Sequence, residues 1–161
     1  GSVSHTEEVP SFLPDRFEPG TPNIPGILGL HAALCDLEQT DMDKLHQHEL
    51  ELTQYFINGL MQMDPSESTL RAIGKHNTIE RTSVVSVQTL QTDMARVAYE
   101  MDDTYGIMTR VGLHCAPSAH KTLGTYPEGT IRFSFGPENT HHEVDLALHA
   151  LAEITGSPYH L

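Results

Sequence analysis

The segment Arg110-Val-Gly-Leu-His-Cys-Ala-Pro117 places a thiol next to an imidazole, a pair of groups that can do chemistry. Its first half is typical of a short strand and its second half of a turn. A cysteine thiolate is a nucleophile, and a nearby cation lowers the pKa of the thiol. Cys115 is therefore a candidate nucleophile, with His114 as a candidate supporting residue. The alternative is a small buried apolar side chain, which is the commoner role of an isolated cysteine.

A second candidate, Arg132, lies in the segment Ile131-Arg-Phe-Ser-Phe135. The alternation predicts a strand with Ile131 and the two phenylalanines on one face and Arg132 on the other. A guanidinium flanked by aromatic residues usually has a partner, and the carboxylate of a ligand is one candidate. An exposed arginine at a sheet edge, or one in a structural ion pair, explains the pattern equally well.

The first 26 residues contain five prolines, at positions 10, 14, 19, 22 and 25. This density predicts a stiff, extended connector instead of a helix. Within it, Gly20 lets the backbone turn, and Thr21 offers a hydroxyl and an N–H close together, which suits an anion. A plain Pro-Gly turn is the simpler interpretation of the same residues.

Histidine is frequent in the chain, and two groups of histidines suggest metal ligands. His46 and His48 are two residues apart, so they do not share a face of a helix. His141 and His142 are adjacent in the first turn of a predicted helix. Exposure to solvent explains both groups better than metal binding does, and we predict no metal site.

Periodicity and capping residues predict the order helix, helix, hairpin, helix, strand, strand, helix. The predicted boundaries are helices from Pro25 and Thr40, strands at 69–73 and 82–89, a helix from Thr92 to Gly106, strands at 107–114 and 131–135, a helical turn at 118–124, and a last helix opened by a capping box at Thr140 and Glu143. This pattern is typical of an α+β fold. We expect a two-layer sandwich in which a small, largely antiparallel sheet is covered by helices on one side.

The charge composition argues against two classes of binding partner. The 161 residues carry 9 basic and 22 acidic side chains, a net charge of −13, which argues against nucleic acid and anionic membrane surfaces. No apolar run is long enough to span a bilayer. Two cysteines do not make a disulfide framework, so reduced thiols and a cytoplasmic location are expected.

Three separated motifs follow one another along the chain: Phe17-Glu-Pro-Gly-Thr-Pro-Asn-Ile-Pro-Gly26, Arg110-Val-Gly-Leu-His-Cys-Ala-Pro117, and Arg132-Phe-Ser-Phe135 followed by Asn139-Thr-His-His-Glu-Val-Asp145. In order and spacing they resemble the C-terminal part of class V aminotransferase-like enzymes, specifically the cysteine desulfurase and selenocysteine lyase group. The resemblance implies that residues 1–26 are a connector and active-site loop from the end of a large N-terminal domain. Residues 27–161 are then the C-terminal small domain of a fold-type I pyridoxal phosphate enzyme.

The resemblance also implies a reaction and roles for particular residues. The complete enzyme would use pyridoxal 5'-phosphate to convert L-cysteine into L-alanine, leaving a persulfide on Cys115. Arg132 would bind the substrate carboxylate, and Gly20 with Thr21 would contact the cofactor phosphate in the partner subunit of a homodimer. His114 and Asn23 are candidate supporting residues, and a sulfur-acceptor protein is an expected partner.

The lysine that carries the cofactor in this family lies in the larger N-terminal domain and should precede Gly20. The chain has Lys44, Lys75 and Lys121, all after that point. We therefore expect a fragment that is inactive and binds no cofactor stably by itself. The alternatives are a non-catalytic interaction or dimerisation module that keeps the fold, and a class V aminotransferase acting on another substrate. Cysteine, selenocysteine and cysteine sulfinate all remain open as substrates.

Overall fold

Five helices and four strands make up the chain in the computed structural model, which describes residues 8–18 and 20–159. The elements are α1 (Ile24–Gln39), α2 (Met42–Met63), β1 (Leu70–Ile73), β2 (Val84–Thr89), α3 (Met94–Tyr105), β3 (Arg110–Gly112), α4 (Pro117–Leu123), β4 (Thr130–Ser134) and α5 (His141–Thr155). The chain divides into two units, residues 1–42 and 43–161. Within the described ranges, no helix is both long and apolar enough to cross a bilayer.

Unit 1 contains the Pro-rich connector and α1. Residues 1–7 and Pro19 of the predicted connector lie outside the described residues. The helix begins where the sequence predicts it, with Pro25 in its first turn and Asn23 as the N-cap. The Asn23 side chain accepts a hydrogen bond from the backbone N–H of Gly26 at 3.1 Å. No residue of α1 is buried in the described part of the chain.

The sheet of unit 2 has the strand order β1-β2-β4-β3, and every neighbouring pair is antiparallel. The predicted hairpin of β1 and β2 is confirmed. The strand predicted over 107–114 is shorter than expected and covers only β3. At the C-terminal end the cause is backbone geometry, because Gly112, His114 and Cys115 all have positive φ angles and turn the chain out of the sheet.

The hydrophobic core lies between one face of this sheet and the helices α2, α3 and α5. Phe56 of α2 packs on Phe133 of β4 with ring centroids 4.8 Å apart. The fully buried side chains come from all these elements and include Leu52, Phe56, Ile57, Val85, Val87, Val97, Met101, Ile131, Leu148 and Leu151. The α+β class and the antiparallel sheet are therefore confirmed.

The predicted caps of α3 and α5 are confirmed, whereas Thr40, predicted to cap the second helix, is the C-cap of α1. Asp93 accepts a hydrogen bond from the Arg96 N–H at 2.8 Å and starts α3. Thr140 and Glu143 form the reciprocal capping box that starts α5. Glycines in the left-handed conformation end α3, α4 and α5.

The helical turn predicted at 118–124 is the short helix α4, which does not lie on the side of the sheet that α2, α3 and α5 cover. His120 and Leu123 of α4 line a cavity of about 430 Å³ together with Ser86 and Thr130. Ser86 and Thr130 alternate with the core residues Val87 and Ile131, so they belong to the opposite face. The second face of the sheet is thus partly covered and carries polar side chains.

Candidate active site

Cys115 lies at the surface, in the turn between β3 and α4, with a free thiol. Its φ angle is 58° and that of His114 is 49°, so two successive non-glycine residues occupy the left-handed region. This backbone is unfavourable for each residue and persists only when its surroundings hold it. The Ala116 N–H donates to the Leu113 carbonyl at 2.8 Å and closes the turn around the cysteine. The alternative of a buried apolar cysteine does not apply to Cys115.

His114 is fixed to the neighbouring strand β4. Its Nε2 lies 3.1 Å from the carbonyl oxygen of Thr130 and 3.3 Å from the Thr130 hydroxyl. Because a carbonyl oxygen only accepts, Nε2 carries the proton, and Nδ1 of the neutral ring is left as an acceptor.

Several effects determine the charge of His114. Burial lowers the pKa of His114 below its ordinary value, and electrostatic repulsion from Arg132, His120 and Arg110 lowers it further. The hydrogen bond to Thr130 acts in the opposite direction and raises the pKa. His114 is therefore neutral at pH 7. It cannot serve there as a permanent cation for a thiolate, but its Nδ1 can accept a proton.

Arg132 occupies the centre of the polar face of the sheet. Its Cα partners are Ser86 on β2 and Arg110 on β3, so the three side chains form one row across the sheet. Its Nε is buried and, within residues 8–18 and 20–159, has no hydrogen-bond partner. A buried guanidinium N–H without a partner is costly, which indicates that a further acceptor belongs there.

The hydrogen bond between His114 and Thr130 connects the elements that carry Cys115 and Arg132. Thr130 holds the residue that precedes Cys115, and Arg132 follows two positions later on the same strand face. The turn that carries Cys115 is therefore joined by a hydrogen bond to the strand that carries Arg132. The sequence indicates both side chains, but not the hydrogen bond that connects their elements.

His120 is a buried residue beside this site that sequence reasoning did not assign. It is only 6% exposed, and its Nδ1 lies 2.7 Å from the Thr125 hydroxyl. Its ring centroid is 5.9 Å from that of His114. The signal in the sequence that could have identified His120 is its place in a short predicted helical turn directly after the cysteine motif. The neighbouring Lys121 is exposed and lies over the Tyr126 ring at 5.1 Å.

The residues proposed for the cofactor phosphate lie in unit 1. Gly20 has a φ of 97°, which only glycine adopts readily, and this confirms that the chain turns there. Thr21 is exposed, and its hydroxyl makes no hydrogen bond with any other described residue. A free hydroxyl after a tight turn fits a phosphate group. Asn23 caps α1, so its amide is used locally.

The histidine groups have structural contacts. His48 Nε2 lies 2.9 Å from the Asn139 carbonyl, and the His141 ring meets the Tyr55 ring edge to face at 4.9 Å. Among the described residues, no group of three or more histidine, cysteine or acidic side chains is arranged to hold a metal ion.

Comparison with known proteins connects this site to a family. The family model "Aminotransferase class-V" matches residues 2–147. The chain belongs to the class V aminotransferase family. The resemblance inferred from the three motifs is thereby confirmed for nearly the whole chain.

Relatives within the class V family carry a more specific description. A probable cysteine desulfurase from Pyrococcus abyssi is 35% identical over 144 residues, which are 89% of this chain and 34% of that protein. One from Borreliella burgdorferi is 32% identical over 135 residues, 84% of this chain and 31% of that protein. The chain thus spans about a third of the length of these relatives.

Solved structures of family members agree in fold. The apo cysteine desulfurase from Thermococcus onnurineus NA1 superposes with a TM-score of 0.77 at 33% identity, over 89% of this chain and 34% of that one. The Escherichia coli cysteine desulfurase CsdA gives a TM-score of 0.68 at 26% identity, over 87% and 32%. The small α+β fold is therefore shared with cysteine desulfurases.

Proposed function

We propose that this chain is the C-terminal part of a pyridoxal phosphate-dependent cysteine desulfurase. Residues 1–26 would be the connector from a large N-terminal domain and residues 27–161 the small domain. The proposal depends on one observation above all. An exposed cysteine, in a turn of unfavourable backbone, is tied through His114 and Thr130 to the strand that carries an arginine with an unpaired buried N–H.

Cys115 is the proposed nucleophile. Its thiolate attacks the sulfur of L-cysteine, so that a new S–S bond forms while the bond between that sulfur and the substrate Cβ breaks. The electron pair of the broken bond stays on the substrate carbon, which takes up a proton and leaves as L-alanine. The sulfur remains on Cys115 as a persulfide. Neutral His114, with Nδ1 free, is suited to accept the proton that Cys115 loses.

Arg132 is the proposed binding group for the substrate carboxylate. A guanidinium presents its N–H groups in a planar fork that matches the two oxygens of a carboxylate. The buried, unpaired Nε supports this role, because a bound carboxylate would supply the missing acceptor.

Gly20 and Thr21 are the proposed contacts to the phosphate of pyridoxal phosphate, within a homodimer. The cofactor, when bound, supplies the electron sink that labilises bonds of the amino acid. The lysine that carries it would come from the N-terminal domain. Lys121 is a poor alternative, because it lies on the surface of α4 over an aromatic ring.

The expected partners follow from the same reaction. L-cysteine is the proposed substrate, with selenocysteine and cysteine sulfinate as alternatives, and a sulfur-acceptor protein would take the persulfide from Cys115. The two free thiols support a reducing location, and we propose the cytoplasm.

The deciding experiment is Cys115→Ala in the full-length parent enzyme. Sulfide release from L-cysteine should fall by roughly two orders of magnitude or more, because the proposed nucleophile is lost. Cys35→Ala is the matched control and should keep the parent's rate. Undiminished sulfide production in Cys115→Ala would refute the assignment of Cys115. A parent enzyme that releases no sulfide from L-cysteine would favour a class V aminotransferase acting on another substrate.

A second experiment addresses this chain by itself. After incubation with pyridoxal phosphate and dialysis, we expect no cofactor absorbance band. A band that survives dialysis and disappears in Lys121→Ala would overturn the view that the cofactor lysine lies outside this chain. A parent chain that lacks such a lysine throughout would support the non-catalytic module instead.

A further inference from the structure

Arg110 and Arg132 lie directly opposite each other on the antiparallel strands β3 and β4. In such a pair the Cβ atoms are about 5 Å apart on the same face of the sheet. Like charges in this position destabilise a sheet unless a counter-charge lies between them. Within residues 8–18 and 20–159, neither arginine has an ion pair. The fold therefore brings two guanidinium groups together without a carboxylate of its own.

The surroundings of this pair add positive potential. His114 lies close enough to both arginines for their charges to act on its ring, and no acidic side chain is among the groups that act on it. The other neighbour in the row is the uncharged Ser86. The chain has 22 acidic side chains and a net charge of −13, yet among the described residues no carboxylate forms an ion pair with either arginine.

Among the described residues, the side chain of neither arginine makes a hydrogen bond. Arg132 keeps a buried Nε–H without an acceptor, and Arg110 is exposed at the edge strand of the sheet. A carboxylate has two oxygens and about four lone-pair sites, so it can accept from two guanidinium groups at once. One anion between the arginines would satisfy the buried Nε and cancel the repulsion.

We propose that Arg110 is a second substrate-binding residue, which holds one carboxylate jointly with Arg132. The anion site follows from the sheet register and the unpaired N–H. Only the identity of the natural ligand as an amino acid rests on the proposed function. Arg110 then has a role distinct from that of Cys115, although both belong to one motif.

The test uses this chain and sodium acetate as the probe. The Nε–H signals of the arginines are followed by ¹H–¹⁵N NMR while acetate replaces chloride at constant ionic strength. We expect the Arg132 and Arg110 signals to shift together and to saturate with one dissociation constant. Arg110→Gln should weaken acetate binding by roughly tenfold, because a charged donor is lost. Arg110→Lys should restore part of the affinity.

Arg96→Gln is the matched control. Arg96 is an exposed helix arginine paired with Glu100 at 2.6 Å, and its loss should leave acetate binding unchanged. The melting temperature provides a second readout, because an arginine with only a structural role would not give the following pattern. Without acetate, Arg110→Gln should melt at a higher temperature than the parent chain, and saturating acetate should reverse the order.

The contrary result is equally clear. Acetate affinity that is the same in Arg110→Gln as in the parent chain, or an Arg132 signal that acetate does not move, would overturn the proposal. Failure of the proposed function gives a different pattern. The full-length parent would then release no sulfide from L-cysteine, while the acetate site persisted in this chain.

Discussion

Helices α1 and α5 have similar lengths, 16 and 15 residues, and both contain many apolar side chains. Six residues of α5 are buried, among them Val144, Leu148 and Leu151, whereas no residue of α1 is buried in the described chain. Apolar periodicity thus predicts both helices equally well. It does not show which of them belongs to a core.

The difference has a physical origin in the two units. In unit 2, α5 packs in the same core as α2, α3 and the sheet, and Leu148 lies against the Cα of Gly59. In unit 1, large apolar side chains of α1 remain exposed, including Leu28, Leu30 and Leu34. Burial of apolar area supplies most of the stability of a fold, so unit 2 should dominate the unfolding transition.

The comparison is tested most strongly by truncating one leucine in each helix. Leu148→Ala should lower the free energy of unfolding by about 3 kcal/mol, because it removes a fully buried side chain and leaves a cavity. Leu34→Ala, at a position 52% exposed, should change it by less than about 0.5 kcal/mol. Urea unfolding followed by circular dichroism measures both. Equal losses would show that the apolar face of α1 is covered after all.

A smaller effect is expected for one side chain in each unit that accepts hydrogen bonds from nearby backbone N–H groups, Asp64 in unit 2 and Asn23 in unit 1. The Asp64 carboxylate accepts hydrogen bonds from the N–H groups of Thr69 and Leu70 at 2.6 and 3.0 Å, joining the end of α2 to β1. Asp64→Asn should cost about 2 kcal/mol in the same urea experiment, because it removes charge-assisted bonds at a buried site. Asn23→Ala, which removes the cap of α1, should leave the main transition in place.

The same aspartate predicts a pH dependence. Burial opposes ionisation of Asp64, but the hydrogen bonds from Thr69, Leu70 and Ser66 outweigh it and lower its pKa to about 2. Since the folded state binds the proton less tightly than the unfolded chain, this contribution is complete above about pH 4 and is lost as the pH falls towards 2. Unfolding measured between pH 5 and 2 should show a shallower loss of stability in Asp64→Asn than in the parent chain. Parallel curves would contradict the assignment.

The smallest effects, of opposite sign, are expected at two helix glycines. A Cβ on Gly59 would lie 2.3 Å from Cδ1 of the buried Leu148, so Gly59→Ala should destabilise unit 2 by about 1 kcal/mol despite better helix propensity. A Cβ on Gly29 of α1 meets nothing within 4 Å, and Gly29→Ala should stabilise its helix by about 0.5–1 kcal/mol. Thermal melting and helix content by circular dichroism distinguish the two. A gain at both positions would mean that Leu148 moves aside freely.

Much of the fold was predictable because its signals are local. Asn23, Asp93 and the Thr140–Glu143 box start helices where capping chemistry requires, and alternation located β4. The strand at 107–114 was predicted too long. Its β-forming composition is overridden at His114 and Cys115, whose left-handed backbone is stabilised by contacts with β4 and the turn. The helical turn at 118–124 was predicted, but the face of the sheet on which α4 lies was not, since packing decides that choice.

The candidate site also has features that the sequence predicts and features that only the fold determines. Cys115 and Arg132 could be selected from residue type and motif, because a thiol beside an imidazole and an arginine among aromatic residues are visible in the sequence. The exposure of Cys115, the proton position on His114 and the burial of His120 were not visible. Each depends on which carbonyl, hydroxyl or side chain the tertiary fold brings near.

The sequence by itself determined the elements, their caps, the α+β class and the family to which the motifs belong, because these follow from short-range patterns along the chain. Only the tertiary structure decided that Arg110 faces Arg132 and that His114 is bound to Thr130. It also decided that, among the described residues, α1 has no fully buried side chain while α5 is in the core. Strand register and burial arise from contacts between residues far apart in sequence. No local pattern encodes which residues will meet.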